Sequence, residues 1–254
     1  MQVRVLGCSG GIGADRHTTS FLLDDWLLLD AGTGTARLTL QEMQPLQHVL
    51  LTHSHMDHIA ALPLLLDTVF GTRESPLQVH ASGAVLQILR QHIFNWRVWP
   101  DFSELPDARR PVVRFAEHSP RAAFELGGHR ITGVEVNHVV PCCAYIIETD
   151  DGVFCFSGDT TTTDDLWAAL NRLPRLDLLF VECAFSDREE QLAGVAKHYC
   201  PSSLADDLRK LEHDPVIGVS HFKPGSEEET LAQLQDLLPQ RKLHALQPDQ
   251  LYTV

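Results

Sequence analysis

The segment 53–58, with the sequence HSHMDH, constrains the fold of this chain more than any other feature. It follows an apolar run, 48–52, which predicts a buried strand that leads into the histidines. The chain has 14 histidines among 254 residues, so three within six positions exceed chance clustering. If the strand continues to His55, its alternation places His53 and His55 on one face, where both can chelate one ion. Asp57 and His58 then lie past the turn and can serve a second ion. The structural alternative, a solvated polar loop, needs no such spacing.

Strands alternate with helices along the chain, without an internal repeat, a low-complexity tract or a linker. This order predicts an α/β protein, a four-layered αββα sandwich of two mixed β-sheets flanked by helices, as a single domain over residues 1–254. The predicted strands are 3–6, 21–23, 26–29, 48–52, 77–80, 112–115, 130–137, 144–148, 153–156, 176–181, 216–219, 243–246 and 251–254. The predicted helices are 35–43, 59–70, 84–94, 164–173, 201–211 and 226–237, and the segment 95–110 is predicted as an irregular loop.

Two ions need more ligands than the segment 53–58 offers, and three further candidates follow predicted strands. His138 ends one strand, Asp159 follows the next in SGDT (157–160), and His221 follows a third in SHFKP (220–224). Taken singly, each would more often be a hydrogen-bonded or capping residue. Taken with the cluster, they complete two metal sites of five imidazoles and two carboxylates.

In this order, HSHMDH, His138, SGDT and SHFKP resemble the metallo-β-lactamase fold superfamily, in its phosphodiesterase and RNase Z-like branch. The resemblance covers essentially the whole chain, including the segments 6–11 and 29–34, and it implies the metallo-β-lactamase fold. It also implies the ligand set: His53, His55 and His138 on a first ion, Asp57, His58 and His221 on a second, and Asp159 bridging the two.

The nitrogen and oxygen ligands suit two divalent ions, with zinc expected first and manganese or iron as alternatives. Ions roughly 3.5–4 Å apart can share a hydroxide, because a metal lowers the pKa of water from about 15.7 towards about 7. That hydroxide is the expected nucleophile, and the ions neutralise a phosphoryl oxygen in the transition state. We therefore expect an enzyme, a metal-dependent hydrolase of a phosphoric diester, with Asp57 counted as a catalytic residue as well as a ligand.

The leaving oxygen needs a proton, and two residues outside the ligand set can supply or orient it. Glu182 lies at the end of a predicted strand, and His198 lies just ahead of a predicted helix. In the phosphodiesterase and RNase Z-like relatives a Glu and a His in similar segments form a proton-donating pair, which the resemblance transfers to these two residues. The alternatives are a capping or surface role for His198 and a purely structural role for Glu182.

The segment 94–102, FNWRVWPDF, looks like the FN-x-x-x-WP-(N/D) stretch of class II 3′,5′-cyclic-nucleotide phosphodiesterases, and SHFKP looks like their Ser/Thr-His-x-Lys-Pro ending. That family commonly carries Leu where Met56 stands. The resemblance implies hydrolysis of cyclic AMP or cyclic GMP to the 5′-nucleotide. Trp96, Trp99 and Phe102 could stack on the purine. Asn95 could form a hydrogen bond with its edge, and Lys223 could contact the phosphate. The alternatives are aromatic side chains that pack a loop over the core and a surface lysine.

The net charge of the chain limits the kinds of molecule that it can bind. The chain has 20 Lys and Arg against 34 Asp and Glu, a net charge of −14, which disfavours long nucleic acids and membrane surfaces. A small anionic substrate is the expected partner, held by the metal ions, and a homodimer is allowed. The apolar runs are far shorter than the roughly 20 residues of a membrane span, and no leader pattern precedes the first strand, so we expect a cytoplasmic protein. The six cysteines form no CxxC pair and are expected as reduced thiols.

Three alternatives remain open from the sequence. A tRNA 3′-processing endonuclease of the RNase Z type needs a basic surface or arm, which the sequence does not show. Another small-molecule phosphodiesterase or ester hydrolase of the same fold would not require the segment 94–102. A non-hydrolytic diiron protein could use the same ligands, and its iron would absorb visible light.

Overall fold

Fourteen strands form the centre of the protein in a computed structural model that describes residues 1–254. In chain order they are β1 (Gln2–Gly7), β2 (Ser20–Leu23), β3 (Leu27–Leu29), β4 (His48–Leu50), β5 (Leu77–Ala81), β6 (Val113–Glu117), β7 (Ala123–Leu126), β8 (His129–Glu135), β9 (Cys143–Glu148), β10 (Val153–Phe156), β11 (Leu178–Glu182), β12 (Val216–Ser220), β13 (Leu243–Ala245) and β14 (Leu251–Thr253).

The strands form two sheets of seven strands each, in the orders β14-β1-β2-β3-β4-β5-β6 and β13-β12-β11-β10-β9-β8-β7. In the first sheet β3, β4, β5 and β6 are mutually parallel. In the second sheet β10, β11, β12 and β13 are parallel, and β8 shares their direction because both β8 and β10 are antiparallel to β9. The carboxyl ends of the parallel strands in each sheet therefore meet at one edge.

Helices cover the outer faces of both sheets. They are α1 (Leu40–Met43), α2 (Met56–Ile59), α3 (Leu62–Thr68), α4 (Gly83–Ile88, continued by a π-helical turn over Leu89–Ile93), α5 (Asp164–Asn171), α6 (Glu190–Ala196), α7 (Pro201–Leu208) and α8 (Glu227–Leu237), with 3-10 helices at Thr33–Arg37 and Asp187–Glu189.

Three buried layers of side chains hold these elements together. A central cluster of 17 buried residues lies between the sheets, where Phe21 of β2 packs 5.0 Å from Phe156 and 5.1 Å from Phe180 across the sandwich. Two further clusters of 23 residues each lie between a sheet and its helices. In α5, for example, Leu166, Trp167 and Leu170 share the buried face. The predicted αββα architecture is confirmed.

Several predicted boundaries differ from the structure. The strand 48–52 ends at Leu50 because the backbone N–H of Thr52 donates to the carboxylate of Asp30 (2.8 Å) instead of to a neighbouring strand. His53 and His55 therefore do not share a strand face, and the alternation argument for them is wrong. The predicted helix 59–70 begins earlier, at Met56, and is split into α2 and α3. The predicted helix 35–43 is broken at Thr39, which caps α1.

Strand β7 and helix α6 were not predicted. Strand β7 is the edge of the second sheet, and its four residues are at most half-buried, so its sequence lacks an apolar run. All six cysteines are buried and none forms a disulfide, in agreement with the expectation of reduced thiols. No helix of the structure combines the length and the apolar character that a membrane crossing requires.

Candidate active site

The carboxyl ends of four strands bring the proposed metal ligands together. His53 and His55 follow β4 in the first sheet, and Asp57 and His58 lie in α2 directly after them. The second sheet contributes the others: His138 follows β8, Asp159 follows β10, and His221 follows β12. The seven side chains thus come from both halves of the chain and converge between the edges of the two sheets.

One group of potential ligands consists of His53, His55, His138 and Asp159, whose nitrogen and oxygen atoms lie within 4.8 Å of one another. Nε2 of His138 lies 3.2 Å from Nδ1 of His55, and Nε2 of His53 lies 3.6 Å from a carboxylate oxygen of Asp159. The imidazoles thus present their free nitrogens to a common point. This group matches the first ion of the predicted ligand set.

A second group consists of Asp57, His58, His221 and Asp159, whose potential ligand atoms also lie within 4.8 Å of one another. Nε2 of His58 lies 3.2 Å from Oδ1 of Asp159, and Nε2 of His221 lies 3.4 Å from Oδ2 of the same carboxylate. Asp159 is the only residue shared by the two groups. A carboxylate in that position can bridge two cations.

Unpaired polar atoms show that these residues fit metal ions. Nine buried side-chain nitrogen or oxygen atoms in the structure have no hydrogen-bond partner, and four of them belong to this cluster. They are Nε2 of His53, His58 and His221, and Oδ1 of Asp159. A buried polar atom without a partner costs free energy, so four that converge on one place call for a common ligand. A divalent cation held by imidazole nitrogens and carboxylate oxygens satisfies all four.

A second layer of hydrogen bonds orients the ligands, and Asp30 is its main member. Nδ1 of His58 donates to Oδ2 of Asp30 at 2.7 Å, which leaves Nε2 as the ligand atom. Nδ1 of His53 donates to the hydroxyl of Thr52 (3.0 Å), which in turn donates to Asp30 (2.8 Å). Such partners set the tautomer of a metal-binding histidine. The sequence analysis did not identify Asp30 or Thr52, although Asp30 lies in the segment 29–34 on which the resemblance partly rests.

Two glycines allow the loops to pass close to the ligands. A Cβ at Gly10 would lie 2.3 Å from the carbonyl oxygen of His221, and a Cβ at Gly32 would lie 2.2 Å from that of Asp57. Lys223 fixes the first of these loops, because its ammonium group donates to the carbonyl of Gly10 at 2.9 Å. The segments 6–11, 29–34 and 220–224 thus pack together and support the loops that carry the proposed ligands.

Glu182 and His198 form a buried pair beside the ligands. Nδ1 of His198 donates to Oε1 of Glu182 at 2.7 Å, and the same carboxylate accepts the backbone N–H groups of Thr160 (3.0 Å) and Ala184 (3.1 Å). The ring of His198 stacks on that of His221, with 5.2 Å between centroids. Since Glu182 occupies Nδ1, only Nε2 of His198 is available to a substrate.

Burial and neighbouring charges set the protonation of these groups. Burial lowers the pKa of His221 to about 3 and that of His138 to about 4, so both imidazoles are neutral at pH 7, as metal ligands must be. Burial acts against the charge of Asp159, but the nearby imidazoles of His221 and His58 outweigh it and hold the pKa of Asp159 well below its usual range. Burial also lowers the pKa of His198, yet the charge and hydrogen bond of Glu182 prevail and raise it. A protonated His198 is the form that a general acid needs.

Asn95, Trp96 and Trp99 lie beyond a helical run, and their contact with a substrate stays a prediction. They follow the 11-residue helical run 83–93, which leads roughly 16 Å away from the carboxyl end of β5. The amide of Asn95 is used within its own loop, where it accepts the backbone N–H groups of Arg97 and Val98. Phe102 is buried and its carbonyl accepts the N–H of Val112 at the amino end of the β6 region.

Lys223 lies near the pair of Glu182 and His198. Its ammonium group is 5.8 Å from the ring centroid of Phe185, and that ring lies 5.8 Å from the ring of His198. Lys223 also lies two residues after the proposed ligand His221, in the loop that follows β12.

Comparison with known proteins identifies the family of this chain. Residues 25–244 match the family described as Beta-lactamase superfamily domain. A protein of Yersinia pestis named "Probable 3′,5′-cyclic-nucleotide phosphodiesterase" is 26% identical over 89% of this chain and 79% of its own length. Ribonuclease Z of Haloarcula marismortui is 28% identical over 59% of this chain and 48% of its own length. The crystal structure of unliganded yeast PDE1 superposes with a TM-score of 0.81 over 97% of both chains at 17% identity, which shows the shared fold.

Proposed function

The chain belongs to the Beta-lactamase superfamily domain family, and from this premise we propose that it hydrolyses a 3′,5′-cyclic nucleotide to the 5′-nucleotide with two divalent metal ions. That the chain is an enzyme, a metal-dependent hydrolase, agrees with its relatives, which are named as phosphodiesterases and ribonucleases. The observation that carries the proposal is the pair of ligand groups that share Asp159, with four unpaired buried atoms turned towards them.

The ligand assignment follows the two groups. His53, His55 and His138 would hold one ion, Asp57, His58 and His221 the other, and Asp159 both. When bound, two such ions supply a hydroxide nucleophile from water and neutralise charge on the phosphoryl oxygens. We propose zinc first, because imidazole and carboxylate ligands suit it, with manganese and iron as alternatives.

The residues of the chain itself then handle the leaving group. Glu182 accepts a hydrogen bond from Nδ1 of His198 and raises the pKa of its imidazole, which favours the form that carries a proton on Nε2. His198 would donate this proton to the oxygen that leaves the phosphorus, and Glu182 would stabilise the charge of the imidazole before transfer. Lys223, close to His198, adds a positive charge that can contact a phosphate oxygen.

A small cyclic nucleotide is favoured over a folded RNA by charge. The chain carries a net charge of −14, and each phosphate that a protein contacts on a nucleic acid calls for a cation. A substrate with a single phosphodiester needs only the positive charge of the metal centre. We propose accordingly that cyclic AMP or cyclic GMP is cleaved in the cytoplasm.

The experiment is a product assay with metal analysis of the same preparation. Cyclic AMP, cyclic GMP, 2′,3′-cyclic AMP, bis(p-nitrophenyl) phosphate and a tRNA precursor with a 3′ extension are incubated separately, and the products are separated by chromatography. We expect 5′-AMP or 5′-GMP from the 3′,5′-cyclic substrates and two metal ions per chain. Cleavage of the tRNA precursor with no turnover of any cyclic nucleotide would overturn the proposal in favour of the endonuclease. A coloured iron protein that cleaves none of these substrates would overturn hydrolysis itself.

A further inference from the structure

The arginines of the chain divide sharply into paired and unpaired ones. Nine of the 16 lie within 4.0 Å of a carboxylate: Arg4, Arg16, Arg37, Arg121, Arg130, Arg175, Arg188, Arg209 and Arg241. Of the other seven, all but Arg172 lie between residues 73 and 114. In a protein with a net charge of −14, carboxylates are plentiful. Six of the seven unpaired arginines thus lie in one stretch of the chain, 73–114.

Three of these unpaired arginines line one cleft of about 410 Å³. Arg73 comes from the connection between α3 and β5, and Arg109 and Arg110 come from the segment that precedes β6. The walls are formed by Phe70, three prolines and the backbone around them. This volume is within the roughly 300–1,000 Å³ of small-molecule sites.

The guanidinium of Arg73 is held in place but its charge is not neutralised. Its Nε donates to the carbonyl of Ser75 and its Nη1 to the carbonyl of Gln44, both at 3.2 Å. These two bonds fix the group and leave Nη2 without a partner among the hydrogen bonds of the structure. A half-buried cation without a counter-ion is costly, and a bound anion would offset that cost.

The acidic groups nearby do not neutralise the cleft. Glu74 lines it but forms no ion pair with any of the three arginines. The carboxylate of Asp107 accepts the backbone N–H groups of Arg109 (2.8 Å) and Arg110 (3.3 Å) and so stabilises the loop that carries them. The two guanidinium groups remain free to bind an anion.

We propose that this cleft binds an organic phosphate with a flat ring, of the size of a nucleoside diphosphate. Arginine forks match phosphate oxygens in pairs of hydrogen bonds. Phe70 leaves 41% of its surface exposed, which offers a ring face for stacking. A cleft this small suits one such molecule, and neither a peptide nor a folded RNA.

This cleft is distinct from the metal site. It lies at the amino ends of β5 and β6, whereas the proposed ligands follow the carboxyl ends of the parallel strands. The length of β5, roughly 15 Å, separates the two ends. The proposal therefore does not depend on the reaction that the metal site catalyses.

The test uses the full-length, metal-loaded protein and three single variants. Arg110→Gln and Arg73→Gln remove cations of the cleft, and Arg121→Gln removes an exposed arginine that is paired with Asp165 elsewhere. Binding of ADP is measured by calorimetry at low salt, and 8-azido-ADP is photo-crosslinked to map the labelled peptide. Adenosine and inorganic pyrophosphate serve as the ring-only and phosphate-only probes.

We expect ADP to label peptides that contain residues 69–76 or 105–112. Arg110→Gln and Arg73→Gln should weaken ADP and pyrophosphate binding at least tenfold, whereas Arg121→Gln should stay within twofold of the wild type. All three variants should keep the circular dichroism spectrum and the melting temperature of the wild type, which shows that they fold. If Arg73→Gln does not fold, the exposed Arg110→Gln decides the outcome. Unchanged ADP affinity in Arg110→Gln, or label found only in the metal-site peptides, would overturn the proposal.

Discussion

Replacement of Asp30 by Asn should weaken metal binding without disturbing the backbone. Asp30 is fully buried and accepts three hydrogen bonds, from Nδ1 of His58 (2.7 Å), from the N–H of Thr52 (2.8 Å) and from its hydroxyl (2.8 Å). Its φ is +55°, a conformation that Asn adopts readily. The amide has the same size, but one of its two acceptor oxygens becomes an NH₂ group.

The magnitude follows from the hydrogen bonds that are lost. An amide NH₂ group in place of Oδ2 is a hydrogen-bond donor, and it would face two other donors, Nδ1 of His58 and the hydroxyl of Thr52. The hydrogen bond that fixes the tautomer and the orientation of the His58 ring is then lost. Loss of such a partner typically lowers metal affinity 10- to 100-fold, or about 1.4–2.7 kcal/mol. We expect the loss at the ion held by His58, with a smaller effect at the ion held by His53, which reaches Asp30 only through Thr52.

The assay is a competition titration of the metal-depleted protein against a chromophoric chelator. A matched control is Asp207→Asn, because Asp207 is also buried and accepts hydrogen bonds from Trp167 (2.9 Å), Tyr199 (2.6 Å) and the N–H of Thr163 (3.0 Å). None of these partners is a proposed ligand. Asp207→Asn should lower the free energy of unfolding and leave metal affinity unchanged. Equal metal affinity in Asp30→Asn, Asp207→Asn and the wild type would refute the role of Asp30.

Further predictions concern the bridge, the proton donor and acid stability. Asp159→Ala should abolish activity and reduce the metal content at both sites, as measured by mass spectrometry, and retention of two ions at normal affinity would refute the bridge. His198→Ala should keep both ions and slow a substrate with a poor leaving group about 10²–10⁴-fold, but an activated p-nitrophenyl ester much less; equal losses on both would leave His198 with a binding role only. Burial lowers the pKa of His80 to about 4, below the value of about 6.5 in the unfolded chain. The contribution of the neutral His80 imidazole to the free energy of unfolding is therefore complete above about pH 6.5 and is lost as the pH falls towards 4. Urea unfolding at pH 7 and pH 4.5 should therefore show about 2 kcal/mol more acid destabilisation in the wild type than in His80→Gln, and identical pH dependence of the two proteins would contradict this.

The candidate ligands could be recognised in the sequence because a metal centre requires particular residue types. A metal centre needs imidazoles and carboxylates, and a parallel sheet presents them just after its strands, so His138, Asp159 and His221 were recognisable beside the cluster at 53–58. The reasoning about strand alternation at His53 was nevertheless wrong, because a hydrogen bond from Thr52 to a distant carboxylate ends β4 early. The sequence thus pointed to residues that the structure brings together, although the local geometry argued for two of them was wrong.

Residues whose task depends only on tertiary contacts could not be identified. Asp30 follows a short strand and resembles an ordinary turn residue, and its bond to His58 exists only once the loops meet. Asn95 and the neighbouring tryptophans are of types that suit a nucleotide, but residue types do not reveal the position of their loop, so their contact with a substrate stays a prediction. Strand β7 was missed because an edge strand without a buried face has no alternating apolar pattern.

The central claim is that seven side chains hold two metal ions around Asp159. Anomalous diffraction from crystals of the metal-loaded protein, recorded on both sides of the absorption edge of the bound metal, tests it most directly. The account predicts two peaks roughly 3.5–4 Å apart, one on each side of the Asp159 carboxylate. A single peak, or peaks in contact with other residues while these seven side chains bind none, would contradict it.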